Sequence, residues 1–288
     1  MSGDKESLQK YYSGAVQRCM DMFRQLSVED WDTSATRDGW TAKDYLGHVV
    51  TSQEREQNPV TSLNLEGKPV KIPGLASRSA IDEFNQANLD EVRGLPVHEL
   101  MDRFRASFNK HLAMLEPLTE ADLAKPVQHP GLSGQPTLND LFTSGYGHLP
   151  WHYQDIRRCI RKRKAVDHWV DQCSPEEMND LLGRVFALLP SMYWPERGGK
   201  LRATYVFTFP GEGGGQWTIE IDGAACTSRP VAVKRPSIEV QVTPRDWLDI
   251  QTKSLGPLRA LLSRRLRIKR GLLRLRLLGR FEKLFQAS

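Results

Sequence analysis

The chain has 288 residues, 39% hydrophobic and 26% charged, which is ordinary for a soluble globular protein and leaves room for two domains. No apolar run approaches the roughly 18 residues needed to span a bilayer, and the opening stretch MSGDKESLQKYY lacks the apolar core of a secretory signal. The net charge of +5 is unevenly spread: residues 257–288 hold ten Arg or Lys and one Glu, so the remainder is slightly acidic and no chain-wide nucleic-acid surface is expected. The four cysteines (Cys19, Cys159, Cys173 and Cys226) form no CxxC pair, which points to reduced thiols in a cytoplasmic protein rather than a disulfide framework.

The first half reads as helices. Leu8, Tyr12, Ala15, Cys19, Phe23 and Leu26 recur at helical spacing and predict a helix over about 5–26. After Gly39-Trp40, Thr41 with Asp44 three residues on has the spacing of a capping box, and the helix behind it carries Tyr45, Leu46, His48 and Val49. Residues 58–95, rich in Pro, Gly, Asn and Ser, read as a long excursion with one short helix. Leu100, Phe104, Phe108, His111 and Leu115 predict a third long helix over Val97–Leu115. Thr137 caps a fourth, running to about Arg161 and broken in regularity by Pro150, where a kink is expected. Four amphipathic helices with long connections make a bundle.

A further helix starts after Ser174 with Pro175 in its first turn. The period then changes from helical to alternating. Ala203, Tyr205, Phe207 and Phe209 share one face of a strand, Trp217-Thr-Ile-Glu-Ile follows a Gly-rich turn, and Ile238, Val240 and Val242 mark another strand. These strands are expected to pair antiparallel. Helices over about 244–252 and 257–264, a short strand with Leu266 and Ile268, and a last helix carrying Leu272, Leu275, Leu278, Phe281 and Phe285 complete an α+β region. The reading is therefore multidomain: an all-α four-helix bundle over 1–165, then an α+β domain with an antiparallel-rich sheet over 174–288.

His148 and His152 stand four residues apart, so one helix face presents both imidazoles, in company with Leu141, Ile156 and Ile160. Two readings fit that pair alone: core histidines bonded to each other and the backbone, or two ligands of one ion. His48 on the second helix supplies a third inward imidazole, and facing helices of a bundle are where such sites are built. Three neutral imidazoles would hold a divalent ion and leave a coordination position open, as catalytic sites do. Zinc suits the set first, nickel or iron next.

These residues carry a resemblance. Asp38-Gly-Trp-Thr-x-x-Asp-x-x-x-His48 with His148-x-x-x-His152-x-x-Asp155 resembles the DinB superfamily, and more narrowly the mycothiol-dependent maleylpyruvate isomerases. The resemblance implies His48, His148 and His152 as metal ligands. It departs at His148, where the isomerases have Glu, which raises the net charge of the site by one. Asp155 either orients a ligand imidazole from behind or caps a surface pair. From Leu201 on, the Phe-x-Phe strand, the Gly-rich turn, Trp-x-Ile-x-Ile and the Leu-Gly-Pro-Leu ending resemble the sterol carrier protein type-2 family, which implies a five-stranded sheet and a hydrophobic ligand in this domain.

Together the resemblances imply a metal-dependent transferase or isomerase. It would use a low-molecular-weight thiol of the mycothiol type as cosubstrate and act on a small electrophile. The alternative is a lipid carrier with a structural or vestigial metal site. Arg229, Lys234 and Arg235 are cations placed by location to meet an acidic substrate, and no catalytic residue is assigned among them. No helix-turn-helix or basic groove argues for nucleic acid as a partner.

Overall fold

A computed structural model describes residues 5–34, 39–271 and 276–285; Asp38, Leu272 and Leu275 lie outside the described residues. The chain divides into two compact units, one formed by residues 4–131 with 136–172 and the other mainly by residues 173–288.

In the first unit α1 (Lys5–Phe23), the short α2 (Val28–Trp31) and α3 (Ala42–Ser52) come first. A π-helical turn at Gln53–Gln57 carries α3 directly into α4 (Asn58–Leu65), and α5 (Ile81–Val92), α6 (Val97–Leu115), α7 (Glu120–Leu123) and α8 (Leu138–Ile160) follow. The excursion at 58–95 thus holds two α-helices rather than one. The reason is local: the π turn keeps the backbone helical through the polar stretch QEREQ, where no apolar stripe announces it. Helices α1, α3, α6 and α8 form the bundle, with α3 packed on both α6 and α8 and α1 on the same two. Leu100, Phe104, Phe108, His111 and Leu115 of α6 are all buried, as their spacing requires. The α8 helix runs through Pro150 without interruption.

The bundle interior is polar in places. Asn58 accepts from Gln53 Nε2 at 3.0 Å, donates to the Ser107 carbonyl and meets His111 Nδ1 at 2.9 Å. Gly145 makes room for Tyr12, since a Cβ there would stand 2.5 Å from the Tyr12 hydroxyl oxygen. Nearby, Glu56 and His129 face each other at 3.4 Å with both side chains buried. Burial pushes the Glu56 carboxyl up to about 7, against a weaker opposing hydrogen bond from Ser52. Burial, with Arg78 adding to it, pushes His129 down to about 4. Between about pH 4 and 7 both members of the pair are therefore neutral.

In the second unit α9 (Pro175–Met192) and α10 (Pro195–Gly198) precede the sheet strands β1 (Arg202–Phe209), β2 (Gly215–Asp222), β3 (Ala225–Arg229) and β4 (Ile238–Val242). Then come α11 (Pro244–Gln251), α12 (Pro257–Leu262), β5 (Leu266–Arg270) and α13 (Arg276–Phe285). The five strands lie in the order β3-β2-β1-β4-β5. The expectation of antiparallel pairing fails at one place: β1 and β4 run parallel, with Tyr205 opposite Ile238 and Phe207 opposite Val240, so the sheet is mixed. Chain reversal between these strands is undone by the β2–β3 hairpin and the return to the far side of β1, and residue alternation carries no record of that path. Strand β3 also escapes a reading by alternation, because Ala-Cys-Thr-Ser-Arg has few β-formers and sits at the sheet edge.

One face of the sheet is packed with aromatic rings. Phe186 of α9 stacks on Trp217 at 5.2 Å, and Phe207, Phe209 and Trp247 gather around Phe186. Phe281 of α13 adds contacts with Tyr205 and Phe207. Arg229 is paired with Glu220 on the neighbouring strand.

Two outcomes follow for the bundle. Gly145→Ala should destabilise by about 1–3 kcal/mol in denaturant unfolding, because buried Tyr12 cannot yield. An ordinary helix glycine would gain about 1 kcal/mol from the same change, so a more stable variant would show that the hydroxyl has room to move.

Glu56 has a folded pKa above its ordinary 4.5. The native state then holds the extra proton between roughly pH 4.5 and 7, and stability falls as pH rises through that window. Glu56→Gln should be more stable than the parent by about 3 kcal/mol above pH 7, with the difference vanishing near pH 4. A pH-independent difference in melting temperature would contradict the buried neutral carboxyl.

Candidate metal centre

Two matching boxes set where the histidine-bearing helices begin. Thr41 Oγ1 accepts from the Asp44 amide at 3.1 Å while Asp44 Oδ2 accepts from the Thr41 amide at 2.9 Å. Thr137 and Asp140 repeat the arrangement at the start of α8, at 3.3 and 2.8 Å. Each box satisfies amide groups that a helix start otherwise leaves bare, and so fixes the rotation of every later residue. Arg93 holds the other oxygen of Asp44 at 3.0 Å. Nearly all of α3 is buried, and at Gly47 a Cβ would come within 3.1 Å of Leu89 and 3.2 Å of Val92, so the missing side chain lets α5 close on α3.

On this frame His48, His148 and His152 converge, each offering a ring nitrogen within 4.8 Å of the others. His48 Nε2 is 3.3 Å from His148 Nε2, and His148 Nε2 is 2.8 Å from His152 Nε2. The rings meet edge to face, with centroids 4.4–5.1 Å apart. His152 Nδ1 lies 3.0 Å from Asp155 Oδ2, which fixes the proton on Nδ1 and leaves Nε2 with a lone pair. The other carboxylate oxygen of Asp155 accepts from Arg158 at 3.0 Å. The Arg158–Asp155 pair is largely buried, so it is not a surface pair.

Burial holds the His48 imidazole well below the ordinary histidine range, with repulsion from His152 adding to it. His148 is lowered in the same way, by burial first and then by His152 and His48. Neutral imidazoles are the form that binds metal. A separation of roughly 3.3 Å is also what two nitrogens about 2.0–2.1 Å from one tetrahedral ion would show. The donor set therefore fits a divalent transition ion.

Two aromatic neighbours of the triad do not follow from helical spacing. Tyr45 stacks on His152 at 5.7 Å with a 30° tilt, and Trp40, just ahead of the capping box, lies against both His48 and Tyr45 at 5.3 Å. Tyr45 occupies the helical turn before His48 and was visible as an apolar residue, but nothing in its spacing names the ring it meets. Arg158 stands three residues after Asp155, an i,i+3 pairing that the sequence does offer.

The DinB superfamily model matches residues 11–156, which include all three histidines and Asp155, and the SCP-2 sterol transfer family model matches residues 192–270. The structure is similar to the crystal structure of the mycothiol-dependent maleylpyruvate isomerase and to that of a histidine-to-alanine mutant of the same enzyme. Each has a TM-score of 0.57 at 11% identity, over 86% of this chain and 88% of theirs. At that identity the likeness is one of fold. No curated protein sequence matches the chain. Because its matched region spans more than half of the residues, the chain belongs to the DinB superfamily, with an SCP-2-type region following the bundle.

Proposed function

We propose that this protein is a metal-dependent enzyme that uses a low-molecular-weight thiol of the mycothiol type to transfer to, or isomerise, a small electrophilic substrate. The observation that carries the reading is the convergence of the three Nε2 atoms of His48, His148 and His152 inside the bundle. These residues would hold the ion, zinc first and nickel or iron next. Asp155 orients His152 by accepting a hydrogen bond from its Nδ1–H. Burial of His48 and His148 keeps them as lone-pair donors across neutral pH.

A divalent ion in such a site supplies Lewis acidity that lowers the pKa of a thiol and presents it as thiolate. Three neutral imidazoles leave the +2 charge undiminished, so they favour an anionic further ligand more than a shell containing Glu would. The similarity to the mycothiol-dependent isomerase supports the thiol class, and the specific reaction rests on this proposal.

A second reading draws on the SCP-2 match: the second unit binds a hydrophobic ligand and the metal site is structural. The aromatic rings that fill one sheet face weigh against a wide lipid channel there. No helix among the described residues is long and apolar enough to cross a membrane. Solvent extraction of the purified protein, with the extract analysed for lipid, separates this reading from the first.

Purified protein should carry about one divalent ion per chain by elemental analysis. His48→Ala, His148→Ala and His152→Ala should each lose it with little change in circular dichroism. Asp155→Asn should weaken metal affinity about 10- to 100-fold. Stoichiometric metal in the triple alanine variant would remove the triad as the site.

The thiol is tested separately on cobalt-substituted protein. Mycothiol, glutathione or bacillithiol should produce a sulfur-to-cobalt charge-transfer band that is absent in His152→Ala. The bound thiol should titrate well below the roughly 8.5 of a free thiol. If the metal is present and none of these thiols perturbs its spectrum, the thiol reading fails while the metal site stands.

A further inference from the structure

The most cationic stretch of the chain lies in the second unit and plays no part in the metal centre. Residues 250–281 contain no Asp or Glu. Within this stretch α12 leaves Leu258 69% exposed and Leu262 77% exposed. They stand four residues apart and so share one helix face. Leu261, next to them, joins Leu266 and Ile268 of β5 in lining a shallow depression whose rim carries Arg264 and Arg267.

Four exposed cations lie on α12, β5 and the turn between them, namely Arg259, Arg264, Arg267 and Lys269, and among the described residues none of them has an ion pair. Arg265 differs, being held by Asp246 and Asp249. Arg270 lies opposite Glu239 in the β4–β5 register. The uncompensated charge is thus concentrated where the exposed leucines are.

We propose that α12 and the outer strand β5 form a docking surface for an anionic lipid bilayer, with Leu258 and Leu262 entering the headgroup–acyl boundary and the four cations meeting the headgroups. Exposed apolar side chains ringed by Lys and Arg are the combination that an anionic bilayer satisfies on both counts. A second copy of this chain is disfavoured, because a self-complementary contact would bring these cations face to face with no acid between them. A polynucleotide would answer the charge alone. The stretch 257–270 has no aromatic ring on which a base could stack, and the leucines would stay in water.

The test is co-sedimentation of the full-length protein with vesicles of phosphatidylcholine alone and of phosphatidylcholine mixed with phosphatidylglycerol. Binding to the mixed vesicles only, weakening as salt rises, is the expected result. The double variant Leu258→Ser/Leu262→Ser keeps every charge and should bind the mixed vesicles at least about tenfold more weakly. Arg264→Glu/Arg267→Glu should lose at least about twentyfold. Both pairs are exposed, and bound metal and circular dichroism should match the parent in each.

No binding to mixed vesicles at low salt overturns the proposal. Binding that the leucine variant retains in full, and that heparin competes away, reassigns the surface to a general polyanion. A dimer in solution that the leucine variant dissociates assigns it to a second copy.

Discussion

Three imidazoles on two helices reach one point only if both helices start at fixed residues. An α-helix turns about 100° per residue, so a start displaced by one residue would swing His48 or His148 away from the bundle axis. The Thr41–Asp44 and Thr137–Asp140 boxes remove that freedom at both ends of the problem. Thr41 stands seven residues before His48, and Thr137 eleven before His148 and fifteen before His152. The close approaches at Gly47 and Gly145 then let neighbouring helices press on this register, so that packing and capping specify the same rotation. The convergence of the three imidazoles is in this sense a consequence of how two helices begin.

The histidines of the bundle show what separates a structural imidazole from a candidate ligand. His111 is wholly buried and pushed down to about 3, yet its Nδ1 has Asn58 as a fixed neutral partner. His129 faces a carboxyl that is itself driven toward the neutral form. His48 and His148 are equally disfavoured as cations, but their Nε2 atoms face other imidazole nitrogens instead of a carbonyl, amide or carboxylate. A nitrogen lone pair directed at a second lone pair is satisfied by sharing a proton or by a cation between them. Of these, a divalent ion can serve three lone pairs at once, whereas one proton serves two.

Much of this was readable in the residues, and the failures have physical causes. The bounds of α6 and the burial of its five marked residues follow from a clean 3.6-residue period over 19 residues. The capping boxes and the HxxxH spacing are local, so the site was legible once His48 was placed on an inward face. The helices within 58–95 were not, since Gln53–Gln57 continues a helix through polar residues that are stabilised from outside it, as by the Arg103 pairing with Glu54. Strand direction was lost for another reason: Phe207 alternates inward identically whether its neighbour is antiparallel Trp217 or parallel Val240. The ring of Tyr45 on His152 depends on how two helices cross, which no single-helix pattern contains.

The sequence resemblance to the isomerases implies a Glu in place of His148, and that difference bears on the chemistry of the site. A carboxylate at that position would sit beside two imidazoles and raise their proton affinity, so that below neutral pH it would hold a His cation in an ion pair instead of a metal ligand. An imidazole does the reverse. Burial first and then His152 disfavour protonation of both His48 and His148, and His48 adds to this at His148. The site gives up a negative charge that would attract a cation from solution, but it also gives up the ion pair that would compete with that cation. What remains is a set of neutral nitrogen donors that distinguishes among ions by softness and geometry more than by charge, and that leaves the electrostatic demand of a bound divalent ion to be met by whatever anion enters the open position. An anionic sulfur ligand meets that demand, which connects the one residue that departs from the isomerase pattern to the class of cosubstrate proposed for the site.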